Sequence, residues 1–169
     1  GAMFMRRELN TQLPPQGHFF NAEFPGKRFT PAGPDHAQIA AANGMMDYMH
    51  AVADRHGSGG KPVQDQAATV RTLFRDHETE LLQPLLDYLS HHPKIRMIGR
   101  NLAVDRAPTV AFTVEGQSSA ALAERLAQAK LGVGVGNFYA YRLVKALGID
   151  VDDGVVRVSF VHYTSKAEV

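Results

Sequence analysis

The chain has 169 residues, of which 44% are hydrophobic and 21% are charged, with a formal net charge of +1. These values are ordinary for a globular protein, and no apolar run approaches the ~20 residues that cross a bilayer. The absence of cysteine excludes disulfides, thiolate metal sites and a cysteine nucleophile within these residues. We expect a soluble, cytoplasmic protein whose scattered charges indicate neither a nucleic-acid nor a membrane partner.

The first part of the chain is rich in turn formers and aromatic residues. Gly1-Ala2-Met3 resembles the scar left when a protease removes a tag. In residues 4–34, we expect the backbone to need a surface supplied by another part of the protein, since such a segment does not bury its own polar groups. The residues behind this expectation are Pro14, Pro15, Gly17, Pro25, Gly26, Pro31, Gly33 and Pro34, with Phe19, Phe20, Phe24 and Phe29 among them.

Two amphipathic helices are predicted next. Asp35 is a good N-cap for the first, whose apolar residues recur at helical spacing until the glycine-rich break at 57–60. Pro62 suits the first turn of the second helix, which ends at the His-His-Pro sequence of residues 91–93. Pro84 should kink or interrupt this second helix, because proline removes a hydrogen bond and collides with the preceding turn.

The apolar period then changes toward two, which is typical of strands. Strands alternating with helices predict an α+β fold with a three- or four-stranded sheet and helices on one face. Ser165 and Glu168 have the spacing of a capping box, which predicts a final helix truncated at its start. The other predicted elements are strands at 95–98 and 109–114, a helix from Ser118 or Ser119 to about Lys130, a glycine-rich strand or turn at 131–136, a short helix at 138–147 and a strand at 155–163.

Two patterns that suggest ligand sites have simpler explanations. Gly132, Gly134 and Gly136 are spaced G-x-G-x-G, whereas a dinucleotide loop needs G-x-G-x-x-G, so we interpret them as a strand with little side-chain volume. The eight histidines show no ligand spacing, and we predict no metal site.

Arg157 is the most informative candidate, because it lies within a strand of valines and phenylalanine. An arginine there must reach an edge or find a partner, since an unpaired buried charge is costly. It is then either an exposed or ion-paired structural residue, or a fork that binds a carboxylate through two parallel hydrogen bonds. The spacing alone favours the structural role.

Several stretches together resemble the C-terminal third of class V aminotransferases, the pyridoxal-phosphate (PLP) enzymes that include cysteine desulfurases. Residues 29–36, Phe-Thr-Pro-Ala-Gly-Pro-Asp-His, lead into a long helix. Residues 154–159, Gly-Val-Val-Arg-Val-Ser, precede His-Tyr-Thr-Ser-Lys-Ala-Glu-Val at 162–169. Residues 131–148 resemble the loop and helix that carry the cysteine of true desulfurases. The resemblance runs in order over nearly the whole chain and is nearest to the cysteine desulfurase-like subgroup.

The resemblance implies roles for three residues. Arg157 stands where the family binds the substrate α-carboxylate, and this favours the fork over the structural role. Gly33 stands where the family has a threonine that reaches the cofactor phosphate of the other subunit. Only its backbone amide, with those near the Asp35 helix start, can therefore contribute to binding the PLP phosphate. Tyr139 stands near the desulfurase cysteine, which argues against persulfide chemistry. No lysine here has the family's Schiff-base setting, so we expect no catalytic residue in this chain and no covalently bound PLP.

The resemblance therefore predicts the small C-terminal domain of a fold-type I PLP enzyme. Residues 1–34 would be the trailing segment of the large PLP-binding domain, 35–60 a connecting helix, and 61–169 the small α+β domain. The whole protein would be a homodimeric PLP-dependent transferase or lyase acting on an amino acid, by transamination or elimination, and this fragment would be inactive alone. The alternative is a free-standing α+β ligand-binding or protein-interaction domain without a cofactor.

Overall fold

The structure, a computed structural model, describes residues 4–30, 33 and 35–169. It divides into two compact units between Lys61 and Pro62. The tag-like residues 1–3 lie outside the described part, as do Pro31, Ala32 and Pro34 of the predicted proline-rich segment. No helix in the described ranges is long and apolar enough to cross a membrane.

The first unit begins with a segment organised around the side chain of Arg28. Helix α1 spans Arg7–Gln12, and a short 3₁₀ turn spans Phe19–Asn21. The Arg28 guanidinium donates to three backbone carbonyls, at 2.8 Å to Asn10, 2.7 Å to Ala22 and 2.7 Å to Leu13.

The expectation that this segment needs a foreign surface for its backbone is therefore wrong for those carbonyls, because one internal side chain satisfies them. Several of its aromatic side chains, in contrast, are not covered by the described chain. Phe4 is 92% exposed and Phe19 is 89% exposed.

Helix α2 spans His36–Arg55 and begins as the sequence predicts. The carboxylate of Asp35 accepts the backbone N–H of Gln38 at 3.1 Å, which satisfies one of the free amides of the first turn. The apolar residues of its first half stay accessible, since Ile39 is 61% and Met45 is 71% exposed.

The second unit opens with helix α3, Val63–His91, which continues through Pro84. Of the kink or interruption expected at Pro84, the interruption does not occur. Pro62 is the N-cap of α3 and lies just before its first turn. Leu82 and Leu86, on either side of the proline, are fully buried in the core. We attribute the continuity of the helix to this packing, which offsets the hydrogen bond that proline removes.

Four strands form one antiparallel sheet, which confirms the predicted fold class. They are β1 (Ile95–Ile98), β2 (Thr109–Val114), β3 (Gly134–Gly136) and β4 (Val155–Ser159), in the spatial order β1-β2-β4-β3. Of the glycine-rich run at 131–136, which was predicted as a strand or turn, residues 134–136 form a strand and residues 131–133 do not. Central β2 and β4 pair with Ala111 opposite Arg157 and Phe112 opposite Val156.

The two faces of the sheet carry different residues. On one face, Val110, Phe112 and Val156 pack with α3 and with the apolar side of α4 (Ser119–Gln128), forming the core. Since directly paired residues share a face, Arg157 lies on the opposite face together with Ala111 and Gly134.

The segment after β3 crosses this second face. Short helix α5 spans Tyr141–Ala146, and Arg96 of β1 donates to the carbonyl of Leu147, just after α5, at 2.8 Å. Because β1 and β3 are the two edge strands, residues 137–147 run from one edge of the sheet to the other.

One helix and one strand are shorter than the sequence predicted. The helix expected from 138 starts at Tyr141, because Phe138 and Tyr139 have φ of 50° and 61° in the left-handed region. The strand expected to reach 163 ends at Ser159. The N–H of Phe160 still donates to the carbonyl of Pro108, but proline has no N–H to continue the ladder.

The chain ends in a turn held by the two residues of the expected capping box. Both the N–H and the hydroxyl of Ser165 donate to one carboxylate oxygen of Glu168 at 2.7 Å. These bonds lower the pKa of Glu168 below its usual range.

Candidate functional site

Arg157 has no carboxylate partner among the described residues. Its Nε is fully buried and makes no hydrogen bond there. Its guanidinium carbon lies 3.8 Å from the centroid of the Phe138 ring. A structural ion pair, one of the two roles that the sequence left open, is therefore not formed within the described part of the chain. Because Nε has no accessible surface, a ligand would have to bind the terminal Nη groups of the guanidinium.

The Phe138 ring fits over Arg157 because the neighbouring strand has no side chain at Gly134. Gly134 is directly opposite Arg157 in the β3–β4 register. A Cβ added there would lie 3.0 Å from Cζ of Phe138, which is tighter than an ordinary van der Waals contact. The small side-chain volume of this strand thus makes room for an aromatic ring above the arginine.

The loop from Asn137 to Ala140 is held by the side chain of Asn137. Its Oδ1 accepts the N–H of Tyr139 at 3.1 Å, and its Nδ2 donates to the carbonyl of Val151 at 3.2 Å. These bonds connect the loop to the turn before β4. Tyr139 itself projects fully into solvent, with a relative exposure of 104%.

The start of β4 depends on glycine at position 154. Gly154 has φ of 67°, and a Cβ added to it would lie 2.2 Å from the carbonyl carbon of Gly136. Neither the backbone conformation nor the space admits another residue without displacement of the chain. This close approach sets the position of β3 against β4, and therefore of Gly134 against Arg157.

Asp153 fixes the same corner to helix α4. Its two carboxylate oxygens accept the N–H of Ser119 at 3.0 and 2.9 Å. This backbone bond is the largest cause that holds the pKa of Asp153 below its usual range, with smaller contributions from the neighbouring serine hydroxyls. An ionised carboxylate at the N-terminus of a helix is also favoured by the helix dipole.

The other predicted site residue, Gly33, is exposed and belongs to the first unit, whereas Arg157 belongs to the second. All six lysines are exposed. Within residues 4–30, 33 and 35–169, no three histidine or acidic side chains come together as potential metal ligands.

The family model for aminotransferase class-V matches residues 69–169, which include the whole sheet and the Arg157 site. The chain belongs to the class V aminotransferase family. This confirms the family that residues 154–159 and 162–169 indicated.

A relative in a fungus extends the match to the first unit. The chain is 35% identical over 173 residues to the aminotransferase-like protein FGM3 of Gibberella zeae, covering 99% of this chain and 39% of the relative. It is 38% identical over 97 residues to the nonribosomal peptide synthetase-like enzyme fsqF of Aspergillus fumigatus, covering 54% of this chain and 6% of that protein. The chain thus spans about two fifths of the first relative and a small part of the second.

A solved class V fold supports the architecture. The apo structure of a cysteine desulfurase from Thermococcus onnurineus superposes with a TM-score of 0.52 and 26% identity. The superposition covers 63% of this chain and 26% of that one, so this class V chain corresponds to about a quarter of the desulfurase.

Sequence reasoning missed the contact of Phe138 with Arg157. The sequence signal that could have predicted it is the G-x-G-x-G run before an aromatic residue. A strand with glycine at every second position has no side chains on one face, which leaves space for a neighbouring ring.

Proposed function

We propose that this chain is the substrate-binding part of a PLP-dependent enzyme that acts on an amino acid by transamination or elimination. The observation that carries the proposal is Arg157, which lies on the sheet face opposite the core without an ion-pair partner in the described residues. A guanidinium presents two parallel N–H donors, which match both oxygens of a carboxylate. Its role is to bind the α-carboxylate and orient the substrate.

The residues present do not fit the role of holding PLP by themselves. PLP acts as an electron sink in amino-acid chemistry, and its enzymes bind it through a lysine. The six lysines here are all exposed, so none lies in the enclosed site that a covalently bound cofactor needs. We therefore propose that other residues of a longer protein hold the cofactor covalently.

The first unit would contribute to that cofactor site only through its backbone. Gly33 is exposed and lacks a side chain, so its amide N–H is the group that could reach the cofactor phosphate. The carboxylate of Asp35 already occupies the N-terminus of α2. This arrangement leaves Gly33 as an auxiliary contact.

A homodimer is part of the proposal, and the accessible apolar residues of the first unit support it. Met45 and Ile39 on α2, and Phe19 before it, are each more than half exposed. Large apolar side chains that are exposed in a single chain are often covered in an assembly. We propose that those of the first unit pack against the remainder of the enzyme or against a second copy.

The proposal is tested by steady-state kinetics of the full-length, PLP-loaded protein carrying Arg157→Lys. Lysine keeps the charge but loses the paired donors, so kcat/KM for the amino acid should fall on the order of 10- to 100-fold, as expected for a lost hydrogen bond to a charged group. The exposed Arg142→Lys is the matched control and should be neutral. A marked loss of melting temperature in Arg157→Lys with an unchanged KM would show that the residue is structural.

A further inference from the structure

The contact between Arg157 and Phe138 suggests a second residue with a role in substrate binding. We propose that Phe138 is a positioning residue, which holds the guanidinium of Arg157 so that its N–H edge meets the substrate carboxylate. This inference rests on the proposed function of Arg157. Nothing in the family match assigns a role to Phe138.

The contact with Phe138 restricts the conformational freedom of the Arg157 side chain. An unpaired arginine has about 2 kcal/mol of rotamer entropy to lose when it binds. The Phe138 ring lies 3.8 Å from the guanidinium carbon, and the attraction between cation and ring favours that one position. Since the N–H donors lie in the guanidinium plane, a ring over its face leaves an edge for a ligand.

The surroundings of Arg157 are also shaped for the ring. Nε of Arg157 is buried without a hydrogen bond in the described chain, a cost that favourable contacts such as the one with the ring must offset. Gly134 leaves the space for the ring, because a Cβ there would lie 3.0 Å from it. A side chain at position 134 would displace Phe138 from the arginine.

The backbone that carries Phe138 supports the same role. Its φ of 50° is followed by 61° at Tyr139, and such left-handed residues other than glycine cost on the order of 1–3 kcal/mol each. The side-chain bonds of Asn137 hold the loop in this conformation. The loop therefore keeps an unfavourable conformation that directs one aromatic ring onto Arg157 and leaves the next aromatic, Tyr139, in solvent.

The geometry is tested by NMR of the 169-residue chain with ¹⁵N-labelled arginine. The Nε–H resonance of Arg157 should show an upfield ring-current shift, which Phe138→Leu abolishes and Phe138→Tyr retains. Tyr139→Leu is the matched control, because it changes an aromatic residue of the same loop and backbone region without removing the ring over Arg157. An unchanged Nε–H shift in Phe138→Leu would overturn the proposal.

The role is tested by kinetics of the full-length, PLP-loaded enzyme. Phe138→Leu should raise KM about 2- to 30-fold, the range expected for loss of a cation–π contact, with kcat within about twofold. Phe138→Tyr should restore the wild-type KM. If Arg157→Lys impairs the enzyme and Phe138→Leu does not, the positioning role fails alone. If Arg157→Lys has no effect on substrate use, the proposed function fails, and the role of Phe138 fails with it.

Discussion

The two faces of the sheet are built on opposite principles. The face against α3 and α4 is a closed apolar layer in which Val110, Val156 and Leu86 have no exposed surface. The other face carries Arg157, whose buried Nε has no hydrogen-bond partner among the described residues, under a loop with two left-handed non-glycine residues. The first face stabilises the fold through apolar packing, whereas the second contains an arginine without an ion-pair partner in the described residues.

This difference is the basis for proposing that the second face binds the substrate. A closed apolar layer gains free energy roughly in proportion to the surface that it removes from water. A face that retains strain and an unsatisfied donor gives up part of that gain, and such features persist where a ligand completes them. Substitutions on the first face should therefore change the free energy of unfolding, and substitution of Arg157 on the second face should change substrate binding.

The largest effect on stability is expected in the apolar layer. Leu86→Ala removes a fully buried side chain from the core and should lower the free energy of unfolding by about 2–5 kcal/mol. Leu143→Ala removes the same side chain from a position that is 58% exposed and should change it by less than about 1 kcal/mol. Urea denaturation of the chain measures both. Equal losses would contradict the assignment of the core to the α3 face.

A smaller effect is expected at the corner where the two faces meet. The Ser119 N–H lowers the folded-state pKa of Asp153, so this interaction stabilises the fold above the unfolded pKa of about 3.9 and is lost as pH falls through the lower folded value. Asp153→Asn should cost about 1 kcal/mol at pH 7. The difference from wild type should shrink in urea melts below about pH 4.

Asp152→Asn is the matched control for this corner, since Asp152 is exposed and adjacent. It should leave the urea denaturation curve unchanged both at pH 7 and below about pH 4. A cost for Asp153→Asn that stays constant down to pH 2 would mean that the carboxylate charge does not contribute.

The sequence predicted the helix-packed face well. Its strands were predicted from their alternation, and Ser118, one of the two serines expected to cap α4, accepts the N–H of Ala121. Local hydrogen bonding and periodicity are sufficient for such elements. The interruption expected at Pro84 does not occur because tertiary packing stabilises the helix, and a local propensity does not include that packing.

The second face was harder to predict from sequence. Arg157 could be selected as unusual within its strand, but its contact with Phe138 depends on the register that places Gly134 opposite it. The left-handed conformations of Phe138 and Tyr139 also have no signal in residue type, since such conformations favour glycine and asparagine. Register and loop conformation are set by long-range contacts, and a single sequence does not reveal these.

The most direct test of the carboxylate-binding role compares two substrates in the full-length, PLP-loaded enzyme. One is the amino acid, and the other is the corresponding amine, which lacks the α-carboxylate. Arg157→Lys should lower kcat/KM for the amino acid on the order of 10- to 100-fold and leave that for the amine unchanged, because only the amino acid has the group that the guanidinium binds. An equal loss for both substrates would contradict the role of Arg157 as a carboxylate ligand.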